Sequence, residues 1–428
     1  MGMEKNNKTA NSSDFEVTAV PQSGRKSLWT LAFIFAGWGL NSSEIISGGT
    51  IAAPLGLTKG VVAIIIATAV NCALAVLLAV PGAKKGLGFA LMTRHTYGNI
   101  GSKIPSVVIS VVHFGWYGIL TALLANVAIQ VMPSLNFKIV AIVAGLAIAV
   151  VAAVGIKATA IIGYLAVPCV LIVGLIGVFK LTGSASTFMP GTGGSTIPMG
   201  ISQGVGAFAV GSLLACDIAR FSRTKGQAAL GVCIGLFIGL GFVRVLGAMS
   251  VLTTGQPDIV LAFAALGMAG AAFLFLFLNI VSTTDNILYS TGLSLSNIFR
   301  WNRVYLTLIA GVLGTVVAVM GLDKFFGAWL NFLASIIPPM GGVVIADYYF
   351  VKRRDFCELE DIKCPFNVFA LIAWACGIAA AMLNIWCPAI DGLIASILVY
   401  VILMYAVKKS RPEYYCRLTN TQAKISAQ

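Results

Sequence analysis

The sequence predicts an all-α membrane protein of about twelve transmembrane helices. Three observations carry that reading: composition, the length of the apolar runs, and the placement of basic residues. Hydrophobic residues make up 58% of the 428 and charged residues only 10%, with a mean hydropathy of +0.94. A soluble domain carries roughly 25% charged residues, and a surface with so few could not stay hydrated. The stretch 61–81 holds no charge, and 137–157 holds only Lys138 and Lys157 near its ends. Each has the roughly 20 residues needed to cross a hydrocarbon core of about 30 Å.

Read in order, the spans fall near 28–53, 61–81, 105–132, 137–156, 158–182, 200–220, 227–253, 266–292, 304–321, 325–350, 365–386 and 388–407. With the N-terminus inside, the inner segments hold 23 of the 28 Lys and Arg residues. Lys59, Lys138, Lys180 and Lys324 fall outside, and Arg244 lies within span seven. Inner loops accumulate basic residues, so a multi-pass protein with both termini cytoplasmic is expected. The net charge of +13 therefore orients the chain and is not read as a nucleic-acid surface. Residues 1–27 are polar without a signal-peptide core and read as a disordered cytoplasmic tail. The nine cysteines show no CxxC or zinc spacing. Those in apolar runs act as small hydrophobes, and Cys357 and Cys364 read as reduced thiols. No resident cofactor or metal is expected.

Between the spans, 83–102 mixes basic and apolar residues and fits an interfacial helix. The Gly/Ser/Thr-rich 183–199 segment is either a lid or a plain external connection. Span one contains Gly37 and Gly39, then Asn41-Ser42-Ser43-Glu44, then Ser47-Gly48-Gly49-Thr50. Five spans later, span six contains Gly200, Gly204, Gly206 and Gly211 with Ser202, Gln203 and Ser212. Matching interruptions in two halves point to an inverted-repeat transporter with broken helices 1 and 6 and a mid-membrane site. Close helix packing through glycine is the competing explanation.

Span eight carries Asn279, Ser282, Thr283 and Asn286 on one helical face. Neutral oxygens in a bilayer suit a hard cation such as Na⁺, whose water they replace; interhelical hydrogen bonding is the alternative. In span three, His113, Trp116 and Tyr117 share a face beside Gly115 and Gly118, a flat surface on which a planar ring could stack or an ordinary packing contact. Ionisable residues within spans are Glu44, His113, Arg244 and Asp285, with Asp217 and Asp347 nearer inner ends. Such groups are costly in lipid unless they function or pair. Glu44 and His113 are expected to meet at the cavity, to bind substrate or pass a proton. Asp217 with Arg220 marks a helix end or a gate, and Pro338-Pro339 predicts a kink, mobile or static.

Taken together, SGGT at 47–50, GAKKGL at 82–87, GWYG at 115–118, DIARF at 217–221, STTDN at 282–286 and IPPMGGVVIADYY at 337–349 give the chain a resemblance. It resembles the cytosine permease branch of the nucleobase–cation symporters over nearly its whole length. The resemblance implies a sodium/hydantoin-transporter-like fold. A first inverted repeat would span 28–182 (helices 1–5) and a second 200–350 (helices 6–10), joined by the external loop 183–199. A cytoplasmic loop at 351–364, two peripheral helices at 365–407 and a cytoplasmic tail at 408–428 would follow. It further implies import of a nucleobase, cytosine by default, by a functional monomer in a bacterial inner membrane.

By position, backbone carbonyls of Gly37, Leu40 and Asn279 with the hydroxyls of Ser282 and Thr283 would hold Na⁺. The base would lie between Trp116 and Phe208, with His113, Ala207 and Thr284 at its edges and Glu44 nearby. Asp217, Pro338 and Pro339 would serve gating or helix ends. The chain departs from the branch, which has Gln at His113, Ser at Ala207 and Val210, Asn at Thr284 and a small polar residue at Glu44. Losing a buried hydrogen-bond partner shifts discrimination, so another pyrimidine, a purine or a related heterocycle stays open, as does proton coupling. A channel would carry unsaturable flux without a gradient, and a sensor would bind without net flux. An enzyme is disfavoured: neither HExxH nor DDxxD occurs, and His95 and His113 are the only histidines.

Overall fold

In a computed structural model of the chain, the described residues are 19–154, 168–169, 171–177, 179–180, 188–255, 267, 269–299 and 301–419. The long helices are α1 (Leu28–Gly39), α2 (Ser42–Leu55), α3 (Leu57–Lys85), α4 (Phe89–Tyr97), α5 (Lys103–Val131), α6 (Phe137–Val154) and α7 (Ile197–Ala219). They continue with α8 (Lys225–Thr254), α9 (Ala269–Phe299), α10 (Arg303–Val319), α11 (Phe326–Ala346), α12 (Val368–Met382), α13 (Pro388–Ser410) and α14 (Pro412–Thr419). Among the described residues, eight helices are long and apolar enough to cross a membrane, and α1, α10 and α12 are shorter apolar helices. With α2 completing span one, these segments account for eleven of the predicted spans. Span five, at 158–182, and residues 183–187 lie largely outside the described residues.

Helix starts follow local chemistry. Ser27, Asn41, Thr196, Thr224 and Asn302 each accept a first-turn N–H at the heads of α1, α2, α7, α8 and α10, satisfying donors that a helix start leaves bare.

The helices sort into two packed groups. The first joins α1, α2 and α3 with α7 and α8, and the second joins α5 and α6 with α9 and α10. The first two spans of one half thus pack on the first two of the other, and the third and fourth likewise, which is the pairing a five-plus-five repeat predicts. Helix α11 bridges to the first group through α7, while α12 and α13 lean on α11 from outside.

Glycine makes the first group close. A Cβ at Gly48 of α2 would overlap the Arg244 carbonyl oxygen of α8, and one at Gly247 would overlap the Ile45 carbonyl oxygen. Backbone therefore meets backbone along this contact, as small residues allow in lipid.

Three expectations need correction. Span six runs as one α-helix, Ile197–Ala219, without the predicted break. Its glycines serve close approach instead: a Cβ at Gly206 would overlap the Leu330 carbonyl oxygen of α11. The Pro338-Pro339 pair, where a kink is expected, lies buried inside α11, and beyond it the backbone widens into a π turn, Asp347–Val351. The tail is not loose up to residue 27: the Val20 N–H donates to Gly86 O at 3.1 Å and the Lys26 N–H to Phe221 O at 2.6 Å. Arg25 donates to Ala83 O and Ser222 O, so 19–26 strap α3 to α7, where polar backbone finds carbonyl partners. Helix α4, expected on the membrane surface, is largely buried.

Asp347 explains the burial of α4. Its carboxylate accepts from Thr96 Oγ1 and Tyr400 Oη, both at 2.9 Å, and pairs with Lys352 at 3.0 Å, tying α4, α11 and α13 together. Nearby, His95 stacks on Phe356 with centroids 4.3 Å apart. Burial, then the charges of Lys352 and Lys85, push its imidazole from 6.5 down to about 2, so it is neutral. Beyond Asp347, the 351–364 loop is held to α3 by Lys84–Asp355 at 3.0 Å and Lys85–Glu358 at 2.9 Å. Elsewhere, backbone hydrogen bonds tie 188–196 to its neighbours: Met189 N–H donates to Leu252 O and Thr192 N–H to Ala53 O.

Gly48→Ala should lower stability by about 1–3 kcal/mol through overpacking, read as a lower melting temperature of the purified protein. Gly241→Ala on the same helix pair, with nothing within 4 Å of the added carbon, should melt like the wild type.

Candidate functional site

The first span stops being helical at Leu40 and Asn41 and restarts at Ser42. A break in a bilayer exposes carbonyls at one end and N–H groups at the other, and each costs several kcal/mol if unsatisfied in lipid. Two asparagines meet that cost. The Asn41 side chain donates to Trp38 O at 3.1 Å and accepts from the Glu44 N–H at 3.1 Å. From α9, Asn279 donates through Nδ2 to Leu40 O at 2.6 Å and accepts the Ser42 N–H on Oδ1 at 2.5 Å. One buried amide thus spans the gap.

This brings together part of the predicted cation set. Leu40 and Asn279 are in direct contact, and Gly37 sits in the same terminal turn of α1, where helix carbonyls carry partial negative charge. A carbonyl oxygen has two lone pairs, so the bond from Asn279 leaves Leu40 O one for a cation. Ser282 and Thr283, one turn along α9, are half-buried. Thr284 is buried and its hydroxyl donates back to Ile280 O at 2.6 Å, already engaged within its own helix. The side chain of Asn286 lies outside the described residues.

The predicted aromatic walls are both buried but engage different neighbours. Trp116 of α5 meets Phe326 and Trp329 of α11 edge-on, at centroid distances of 6.0 and 6.3 Å. Phe208 of α7 meets Trp38 of α1 edge-on at 5.5 Å. Trp116 and Ala207 belong to one apolar cluster with Val210 and Leu330, and Phe208 belongs to the cluster beside α1 and α8. Phe208 therefore packs against the end of α1, one residue from Gly37.

Glu44 and His113 do not meet. His113 Nδ1 lies 3.1 Å from Thr291 Oγ1 of α9. The Glu44 carboxylate is held by Arg244, with Nη2 at 2.6 Å and Nε at 2.7 Å from Oε2. A carboxylate in a water-poor interior takes the opposite charge within reach before a neutral imidazole. A usable signal stands in the sequence: Glu44 and Arg244 carry opposite charges inside spans. The spacing of 200 residues hid their contact.

Asp217 anchors a helix end. Its Oδ1 accepts the Phe89 N–H at 2.7 Å and so caps α4 from α7. Pro338 and Pro339 are buried where α11 meets the outer helices, and Trp374 of α12 donates to Ile336 O at 2.9 Å just before them. Asp217→Ala should uncap α4 at a cost of about 1 kcal/mol, seen as faster amide hydrogen exchange over 88–97, with Asp217→Asn closer to wild type.

Comparison with known proteins agrees with the fold. Residues 19–407 match the family model described as permease for cytosine/purines, uracil, thiamine, allantoin. The cytosine permease of Escherichia coli (strain K12) is 31% identical over 407 residues, covering 91% of this chain and 94% of that protein. The purine-uracil permease NCS1 of Arabidopsis thaliana is 22% identical over 378 residues, 75% of this chain and 62% of that protein. In fold, the chain is similar to Mhp1, a nucleobase-cation-symport-1 family transporter in a closed conformation with bromovinylhydantoin bound. The TM-score is 0.81 at 21% identity, covering 96% of this chain and 99% of that one. The chain belongs to the family of permeases for cytosine, purines, uracil, thiamine and allantoin.

Proposed function

We propose that this permease imports a nucleobase, cytosine by family default, together with Na⁺, by alternating access across the bacterial inner membrane, and that it works as a monomer. The observation that carries the reading is the Asn279 amide bridging Leu40 and Ser42. It holds the carbonyl end of α1 against a helix face bearing the Ser282 and Thr283 hydroxyls. In this reading Gly37, Leu40 and Asn279 supply carbonyls and Ser282 and Thr283 supply hydroxyls to Na⁺. A flat ring enters between Trp116 and Phe208, with Ala207, His113 and Thr284 around its edges. Phe208 is common to both sites because its ring rests on Trp38, next to Gly37. Binding the ion would then steady one wall of the ring pocket.

Proton coupling is the second reading. Its best carrier in the sequence, Glu44, is committed to Arg244, which favours the sodium form.

Uptake of radiolabelled cytosine into proteoliposomes tests the proposal. It should saturate, rise with an inward Na⁺ gradient rather than an inward proton gradient, and be competed best by cytosine within a panel of bases. Trp116→Ala should raise the half-saturating concentration about tenfold or more, since stacking contributes roughly 1–3 kcal/mol per base. Flux that never saturates, cytosine binding without flux, or drive by protons alone would each overturn it.

A further inference from the structure

Between the proposed cation site and the Ala207–Phe208 stretch of α7 runs a set of buried polar contacts, joined at its start through the backbone of the α1–α2 break. It starts at Asn279, whose side chain holds Leu40 O and the Ser42 N–H. It passes through Asn41, whose Oδ1 receives both the Glu44 N–H and Ser43 Oγ. From Glu44 it crosses to Arg244. Arg244 Nη2 then donates to Gly204 O of α7 at 2.7 Å, and Nη1 to Thr68 Oγ1 of α3 at 3.0 Å. Gly204 O also accepts from Asn71 Nδ2 of α3 at 2.9 Å, and Asn71 Oδ1 accepts from Ser212 Oγ of α7 at 3.1 Å. Three and four residues after Gly204 stand Ala207 and Phe208.

Burial makes this arrangement informative. Arg244 is 0% exposed and Glu44 1% exposed. Desolvating two charges costs as much as their attraction returns, and an apolar pair of similar volume would often serve stability as well. What the ion pair supplies that an apolar pair does not is direction. The planar guanidinium has fixed donors, and here they fasten α2, α3 and α7 to α8 in one register. The Gly204 carbonyl is also unusual in taking two side-chain donors in mid-helix. This is what remains of the interruption expected in span six. The α7 backbone is held there from α3 and α8, one turn before the pocket wall.

We propose that Glu44 and Arg244 are positioning residues that couple occupancy of the cation site to affinity at the substrate pocket. A shift of the α1–α2 break at Asn279 moves Glu44, which is three residues from Asn41. Arg244 transmits that shift to Gly204 and so to Ala207 and Phe208. The inference rests on the sodium–nucleobase reading above, and it concerns the link between the sites rather than either site.

The test is equilibrium binding of radiolabelled cytosine to the purified full chain, with and without saturating Na⁺, in wild type, Glu44→Gln and Arg244→Lys. Coupling between sites commonly amounts to about 5-fold to 150-fold in affinity. The wild-type protein should show a Na⁺ effect of that order. In each variant the ratio should fall to about twofold or less, with cytosine still bound. A role confined to stability would lower the melting temperature and weaken binding equally with and without Na⁺, leaving the ratio unmoved. That result in folded variants overturns the proposal. Should either variant fail to fold, Thr68→Val removes one anchor of the guanidinium at nearly constant volume and should lower the ratio partway; an unchanged ratio there also overturns it. A wild-type ratio of one removes the sodium reading itself and the coupling with it. A wild-type effect retained in all variants removes only the coupling.

Discussion

The structure depends on a single amide side chain that lets a helix stop in the middle of a membrane. Between Leu40 and Ser42 the backbone leaves its own hydrogen-bond ladder, and in hydrocarbon the freed groups have no water to turn to. Asn279 supplies an acceptor for one side of the gap and a donor for the other; an amide carries both on one carbon. Aspartate offers acceptors alone and lysine donors alone. Once the gap is satisfied, the chain holds what an unbroken helix lacks: carbonyl oxygens at the end of α1 that take side-chain rather than helical partners, set against a second helix that bears hydroxyls.

A second constraint follows from the first. A break held by one side chain needs neighbours that do not move relative to it, and the bundle provides them through backbone contact. Gly48 and Gly247 let α2 and α8 approach until side chains are excluded. Gly206 does the same between α7 and α11. The Glu44–Arg244 pair sits in the midst of these contacts. Trp116, by contrast, lies on α5, in the other group, against α11. The proposed pocket is thus bounded by both groups of helices, as movement of one against the other would require.

Much of this was legible in the sequence because it depends on properties local to the chain. Span lengths follow from apolar runs, and the break in span one follows from Gly37, Gly39 and the polar 41–44 run, since no uniform apolar cylinder contains such a stretch. What escaped depends on contacts between distant residues. The glycines of span six look like those of span one, yet α7 stays helical: Gly206 has an α11 backbone to meet, and Asn71, which reaches Gly204 O, accepts from the Ser212 hydroxyl rather than from a freed backbone N–H. Glu44 was expected beside His113 because both are ionisable and central; charge complementarity with Arg244 decided otherwise. The tail at 19–26 and helix α4 looked like surface segments because their partners, the Gly86 and Phe221 carbonyls and the Asp217 and Asp347 carboxylates, lie far along the chain.

The proposal that the carbonyl end of α1 and the hydroxyl face of α9 form a cation site is tested most directly by binding of radioactive Na⁺ to the purified protein. Saturable binding in the wild type, lost when Ser282→Ala and Thr283→Val are combined and lost again in Asn279→Leu, is the predicted result. Sodium bound as tightly after both hydroxyls and the bridging amide are gone would contradict it.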